Sequence, residues 1–187
     1  MMILLEKKQN ATRCDFRTIS LICHASKILL KVLQKRIEAK TSAISFLTED
    51  QFGFRKGQGT RDAIATLRKL GERSIQVGQD VYICFVVYEK AFDRVDWVKL
   101  MHVLRRLRVD YRDRRLTGNL YLDQSFKVRV DGGDFEPGII GRGTRQRCPL
   151  SPLLFNIYIQ ELMNEALADS TVGVKSEENW SVDTFCR

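Results

Sequence analysis

The chain has 187 residues, 44% hydrophobic and 29% charged, with 31 Lys and Arg against 23 Asp and Glu for a formal net charge of +8. That length suits one domain or one large piece of a bigger one, and the apolar-to-charged balance excludes wholesale disorder. The positive excess points to a polyanionic partner, nucleic acid before a membrane surface, with a merely soluble basic protein as the plain alternative.

Five cysteines (Cys14, Cys23, Cys84, Cys148, Cys186) are odd in number and show no C-x-x-C spacing. That argues against a zinc site or a disulfide framework and suits a reducing compartment. No apolar run reaches the length of a membrane span, and Met-Met-Ile-Leu-Leu is too short for a signal peptide before Glu6-Lys7-Lys8. The expected location is therefore cytoplasmic or nuclear, not secreted.

In chain order, residues 1–15 read as polar and irregular after a short apolar start. Ser26 to Lys40 predicts an amphipathic helix, with Ile28, Leu29, Val32, Leu33 and Ile37 on one face and lysines elsewhere. Gln51-Phe52-Gly53-Phe54-Arg55-Lys56-Gly57-Gln58-Gly59-Thr60 sets three glycines around two cations ahead of a helix. Such a turn can cradle phosphates, although on its own it is more often a plain connection. The helix from Thr60 to Gln76 carries Ala63, Ile64, Leu67, Leu70 and Ile75 in period, and Gly71 weakens its second half.

Val81 to Tyr88 is a run of β-branched and aromatic residues, the composition of a strand buried on both faces. From Ala91 the spacing turns helical through Phe92, Val95, Leu100, Val103, Leu104 and Leu107. At Arg108 a helix stop favours Gly in the left-handed region, where an arginine costs on the order of 1 kcal/mol. Arg105, Arg106, Arg112, Arg114 and Arg115 make this the most basic stretch. A track for nucleic-acid phosphates and a solvated arginine face remain equal alternatives. Ser125 to Val130 alternates as a half-exposed strand, Asp131-Gly132-Gly133-Asp134 reads as a turn, and Phe135 to Ile140 returns antiparallel. Ser151 as N-cap and Pro152 at the first helical position open a helix to about Ala168, with Leu154, Ile157, Tyr158, Leu162 and Leu167 on its apolar face.

Three blocks in this order carry a resemblance: Gln51 to Thr60, Val81 to Trp97 with its Tyr88-Glu89-Lys90-Ala91-Phe92-Asp93, and Gly143 to Asn156 with its Arg145-Gln146-Arg147-Cys148-Pro149-Leu150-Ser151-Pro152. Together they resemble the reverse transcriptase domain of non-LTR retrotransposons, over about residues 13–175. The resemblance implies an α+β fold, a partial polymerase right hand. Helical fingers occupy residues 1–79, and an incomplete palm with a short, mostly antiparallel sheet occupies 80–175. Residues 176–187 read as a divergent tail, disordered or frameshifted. Encoded as TTT-TGC-AGA, Phe185-Cys186-Arg187 would read Phe-Ala-Asp one base later, and the shifted frame must then spell the Phe-Ala-Asp-Asp hairpin that the family carries.

By the same resemblance Arg55, Lys56, Phe92 and Gln146 lie at the incoming nucleotide, Phe92 as a gate against the ribose 2′-OH or else as a plain core aromatic. The partners implied are an RNA template and a DNA primer, and the family cofactor is magnesium. Three departures matter. Val87 stands where the family has its metal-binding Asp, Gln58 where it usually has Arg, and Arg147 where it has Gly. Valine has no lone pair, and Glu89 lies roughly 6.6 Å further along a strand, so no productive magnesium site is expected. The expected function is that of an inactive reverse transcriptase fragment. The alternative is a non-catalytic nucleic-acid-binding relic with no polymerase role.

Overall fold

Apolar residues recur at helical spacing in most of the longer segments, so helices build the core. The computed structural model describes residues 2–6, 16–121, 125–126, 129–130, 133–134 and 138–168. Two strands come first, β1 (Met2–Glu6) and β2 (Phe16–Ser20), followed by helices α1 (His24–Ala43) and α2 (Thr60–Val77). A 3₁₀ turn at Ala91–Arg94 leads into α3 (Trp97–Arg106) and α4 (Tyr111–Tyr121). Four short strands follow, β3 (Ser125–Phe126), β4 (Arg129–Val130), β5 (Gly133–Asp134) and β6 (Gly138–Ile139), and then α5 (Ser151–Ala166).

The fold is mostly helical, and among the described residues the strands form three antiparallel pairs, β1 with β2, β3 with β6 and β4 with β5. The short apolar start, to which the sequence reading gave no element, is a strand, with Met2 opposite Ser20 and Glu6 opposite Phe16. Ser125 and Phe126 pair antiparallel with Ile139 and Gly138, and Gly133 and Asp134, expected in a turn, pair with Val130 and Arg129. The expected tail, residues 176–187, lies outside the described residues.

The central strand expected at Val81–Tyr88 does not form. The segment is irregular, and all but Val81 of its residues are exposed. A strand exists only when neighbours take its N–H and C=O groups, and among the described residues none pairs with this one. Composition was right for a strand; the partner is what it lacks.

Helix α5 is the centre of the core. Leu153, Leu154, Phe155, Ile157 and Ile159 are buried around most of its circumference, against Leu100, Val103 and Leu104 of α3, Leu30, Leu33 and Ile37 of α1, and Tyr121 of α4. A helix with apolar residues on nearly every side belongs inside, and its few buried polar groups must find partners. Its N-cap is Leu150 and not Ser151. The Ser151 hydroxyl instead lies 3.4 Å from that of Tyr121.

Other helices correct the predicted faces. In α1 the buried stripe is Leu30, Leu33, Ile37 and Thr41, while Ile28, Leu29 and Val32 are exposed. At about 100° per residue, Ile28 and Val32 fall on the side opposite Leu30, so one apolar pattern covered two faces. Helix α2 runs through Gly71 without a break and buries only Ala63. Helix α3 starts six residues later than the periodicity suggested, because Asp96 caps it and accepts the Lys99 N–H at 3.0 Å.

The end of α3 behaves as predicted. Arg108 has φ +54°, its N–H donates to the Arg105 carbonyl, and the Val109 N–H donates to the Leu104 carbonyl. This is the paired closure that glycine usually serves. Arg108→Gly should therefore raise stability by about 1 kcal/mol, read as a higher urea midpoint at unchanged slope.

Burial pushes the Tyr121 hydroxyl up to about 12, against the stabilising pull of its contact with Ser151. Between an unfolded value near 10 and that folded value, the unfolded chain has lost a proton the folded chain keeps. Stability then falls as pH rises through this window, by at most on the order of 2–3 kcal/mol, and the contribution is intact below it. Urea titrations at several alkaline pH values should show this loss, and Tyr121→Phe should flatten it.

Candidate functional site

The turn at Ala91–Arg94 and the loop that starts at Gly143 lock together through the backbone. Gly143 N–H donates to the Val95 carbonyl at 2.8 Å and Thr144 N–H to the Phe92 carbonyl at 2.7 Å. The Trp97 indole N–H donates to the Gly143 carbonyl at 2.7 Å. Gly143 has φ +94°, and a Cβ there would stand 2.8 Å from Asp93 Cα. Only glycine meets both demands. The docked loop brings Gln146 to Asp93, with Nε2 3.4 Å from Oδ1.

Phe92 is where the three sequence blocks meet. Its ring stacks on Phe155 of α5 at 4.3 Å between centroids and meets Phe54 edge-on at 5.8 Å. It is half-buried, so it is neither a sealed core residue nor a free one. Phe54 belongs to the glycine-rich block, which is tied to α5 by polar contacts. Gln51 Nε2 donates to Asn156 Oδ1 at 3.0 Å, and Asn156 Nδ2 donates to the Gly53 carbonyl at 2.8 Å. The Thr48 N–H and hydroxyl both donate to Gln160 Oε1, at 3.3 and 3.2 Å.

Within that block Lys56 is exposed, whereas Arg55 is half-buried and its guanidinium donates to the Thr48 carbonyl. Gln58 Nε2 lies 3.4 Å from the Glu49 carbonyl. The Gly59 N–H at the start of α2 is taken by Asp62 Oδ2 at 2.8 Å, so a carboxylate of the chain sits where the turn was expected to offer an N–H to phosphate. Val87 is 84% exposed, and Glu89 is exposed as well. Among the described residues no three His, Cys, Asp or Glu side chains gather at one point.

The five arginines divide. Arg106 pairs with buried Glu161. Arg114 Nε donates to the Val109 carbonyl at 2.9 Å and its guanidinium lies 5.9 Å from the Tyr111 ring centre. Arg105, Arg112 and Arg115 are exposed. Arg105 and Arg106 also line an open groove of about 710 Å³ between α3 and α5, which neither Phe92 nor Gln146 lines.

The family model for reverse transcriptase (RNA-dependent DNA polymerase) matches residues 5–176. The chain belongs to the reverse transcriptase family. The chain is 25% identical over 165 residues to the RNA-directed DNA polymerase from mobile element jockey of Drosophila funebris, covering 88% of this chain and 18% of that one. It is 28% identical over 151 residues to the probable RNA-directed DNA polymerase from transposon BS of Drosophila melanogaster, covering 79% and 16%. With the Pol polyprotein from the type-1 retrotransposable element R2 of Popillia japonica it shares 29% identity over 162 residues, covering 86% and 22%. Its type is that of the non-LTR retrotransposons. The chain spans about a fifth of the length of these relatives, with shares of 16% to 22%.

For this reverse transcriptase segment, sequence reasoning missed Thr48, Asn156 and Gln160 as the fasteners of the glycine-rich block. Their signal was present: two amides four residues apart on an otherwise apolar helix need partners once buried. It also missed that Arg147, with φ +65°, occupies a left-handed position in the turn closed by Cys148 N–H to the Arg145 carbonyl. A glycine at 147 would remove this conformational strain.

The Gly143 contact is the one most open to disruption. Gly143→Ala should lower stability by about 2 kcal/mol or more, because strain in φ adds to a backbone overlap that no rotamer relieves. Urea unfolding measures the loss, and a stability equal to the parent would show that the turn and loop do not dock this way.

Proposed function

We propose that this chain holds an RNA template and a DNA primer as the fingers and first palm portion of a non-LTR reverse transcriptase, without adding nucleotides itself. In this reading residues 1–79 are fingers and 80–175 a partial palm. Arg55, Lys56, Phe92 and Gln146 face the nucleotide position. The meeting of three blocks at Phe92 supports that assignment, since Phe54 and Phe155 meet its half-buried ring and Gln146 reaches the neighbouring Asp93. Arg105, Arg112 and Arg115 supply exposed charge for phosphates.

The observation that carries the inactive reading is Val87. Magnesium, when bound, supplies charge neutralisation and a template for phosphoryl transfer in polymerases, and it requires oxygen donors. Val87 offers none, Glu89 is displaced along the chain, and the Asp93 carboxylate faces Gln146. These donors do not fit the ion, so the chain's part is binding and positioning. No helix among the described residues is long and apolar enough to cross a membrane, and the cytoplasm or the nucleus is the compartment that suits a nucleic-acid partner. The second reading, a relic that binds nucleic acid with no polymerase role, rests on the same exposed arginines.

Two measurements test this. Primer extension with magnesium and a polyadenylated template should yield no product above a no-protein control, for the parent and for Val87→Asp alike; incorporation by either overturns the inactive reading. Fluorescence anisotropy with a primer–template across a salt series should show binding. Removing Arg105, Arg112 or Arg115 should each lower the log–log salt slope by about 1. A slope unchanged in the triple variant would remove the arginine track.

A further inference from the structure

We propose that Tyr111 and the arginines around it form a platform for an unpaired nucleic-acid strand, with one base stacked on the Tyr111 ring and the arginines on the phosphates. The inference rests on the reading of Arg112 and Arg115 as phosphate-binding, and adds the state of the strand and the residue that detects it. Among the described helices Tyr111 is the one exposed aromatic side chain, 64% accessible at the start of α4. Folding normally covers most of a ring that large. Arg114 sets this one in place. Its Nε donates to the Val109 carbonyl at 2.9 Å, and its guanidinium lies 5.9 Å from the ring centre. One face of the ring is thereby backed by a cation, and the other is open to solvent.

Helix geometry surrounds the open face with positive charge. Arg115 follows Tyr111 by one turn on the same side, Arg112 lies one row across, and Arg108 stands just before the helix; all three are exposed. Asp113 is on the opposite side, buried and paired with Arg36 at 3.0 Å, so its charge does not offset the arginines. Between residues 105 and 119 the only exposed carboxylate is that of Asp110. Arg112 and Arg115, three residues apart on the helix, repel each other until an anion comes between them.

An open aromatic face among cations fits a single strand and not a duplex. Every unpaired base offers a π-face for stacking, whatever its identity. In a duplex that face is covered by the next base pair, and only base edges and phosphates are presented. The arginines alone would hold either form through its phosphates; the ring adds affinity only where a base is free. An acidic protein segment would satisfy the arginines and leave the ring without a stacking partner.

Fluorescence anisotropy on the nuclease-treated full chain tests the proposal, with a labelled, unstructured, purine-rich oligonucleotide made as RNA and as DNA. Tyr111→Ala should weaken binding by at least roughly fivefold, the loss of one base–aromatic stack. Its log–log salt slope should match the parent's, because no phosphate contact is removed. Tyr111→Phe keeps the ring and should bind as the parent does. An abasic strand of the same length and a blunt duplex should bind parent and Tyr111→Ala equally. The tighter of the RNA and DNA strands identifies which one the platform serves. Tyr111→Ala binding as tightly as the parent, Tyr111→Phe losing as much as Tyr111→Ala, an equal loss on the abasic strand, or displacement by oligoglutamate as effective as by unlabelled strand would each overturn the inference. A parent that holds the primer–template but not the oligonucleotide overturns this inference alone. One that holds the oligonucleotide through Tyr111 but not the primer–template overturns the primer–template reading alone.

Discussion

Everything near the candidate site depends on one close backbone contact, Gly143 against the turn at Asp93. Two main-chain hydrogen bonds and the Trp97 indole hold it, and the missing side chain at residue 143 is what lets the chains approach. The contact orients Phe92 onto Phe155 and carries Gln146 to Asp93. Without it, the segment after Lys90 and the loop before α5 share no fixed geometry.

Helix α5 does two jobs with one surface. Its apolar residues close the core against α1, α3 and α4, while Asn156 and Gln160 on the same buried helix fasten the glycine-rich block through Gln51, Gly53 and Thr48. Buried amides left unpaired would be costly, so the block is held in place by the same burial that stabilises the helix. The block's cations are thereby set apart: Arg55 is engaged with the Thr48 carbonyl, and Lys56 is left in solvent.

Two arginines occupy left-handed backbone positions, Arg108 after α3 and Arg147 in the loop before α5. Each carries conformational strain that a glycine would remove. They are two positions where a demand set by backbone geometry is not met by the residue present.

Much was legible in the chain of residues alone. The three blocks identified the family, and helical spacing located four of the five described helices, α4 (Tyr111–Tyr121) being the one it did not mark. The stop at Arg108 and the antiparallel return after Val130 followed from local rules, because caps, turns and periodicity involve neighbours a few residues apart. Which face of α1 is buried, whether Gln51 finds Asn156 and whether Val81–Tyr88 finds a partner strand are set by residues far away in the chain. Sequence periodicity records that a stretch is apolar on some side; only packing against Leu100 and Leu154 decides that the side is Leu30 and not Ile28. The Val81–Tyr88 run states a preference for extended backbone by its composition, and hydrogen-bonding neighbours, which no composition supplies, determine whether that preference becomes a sheet.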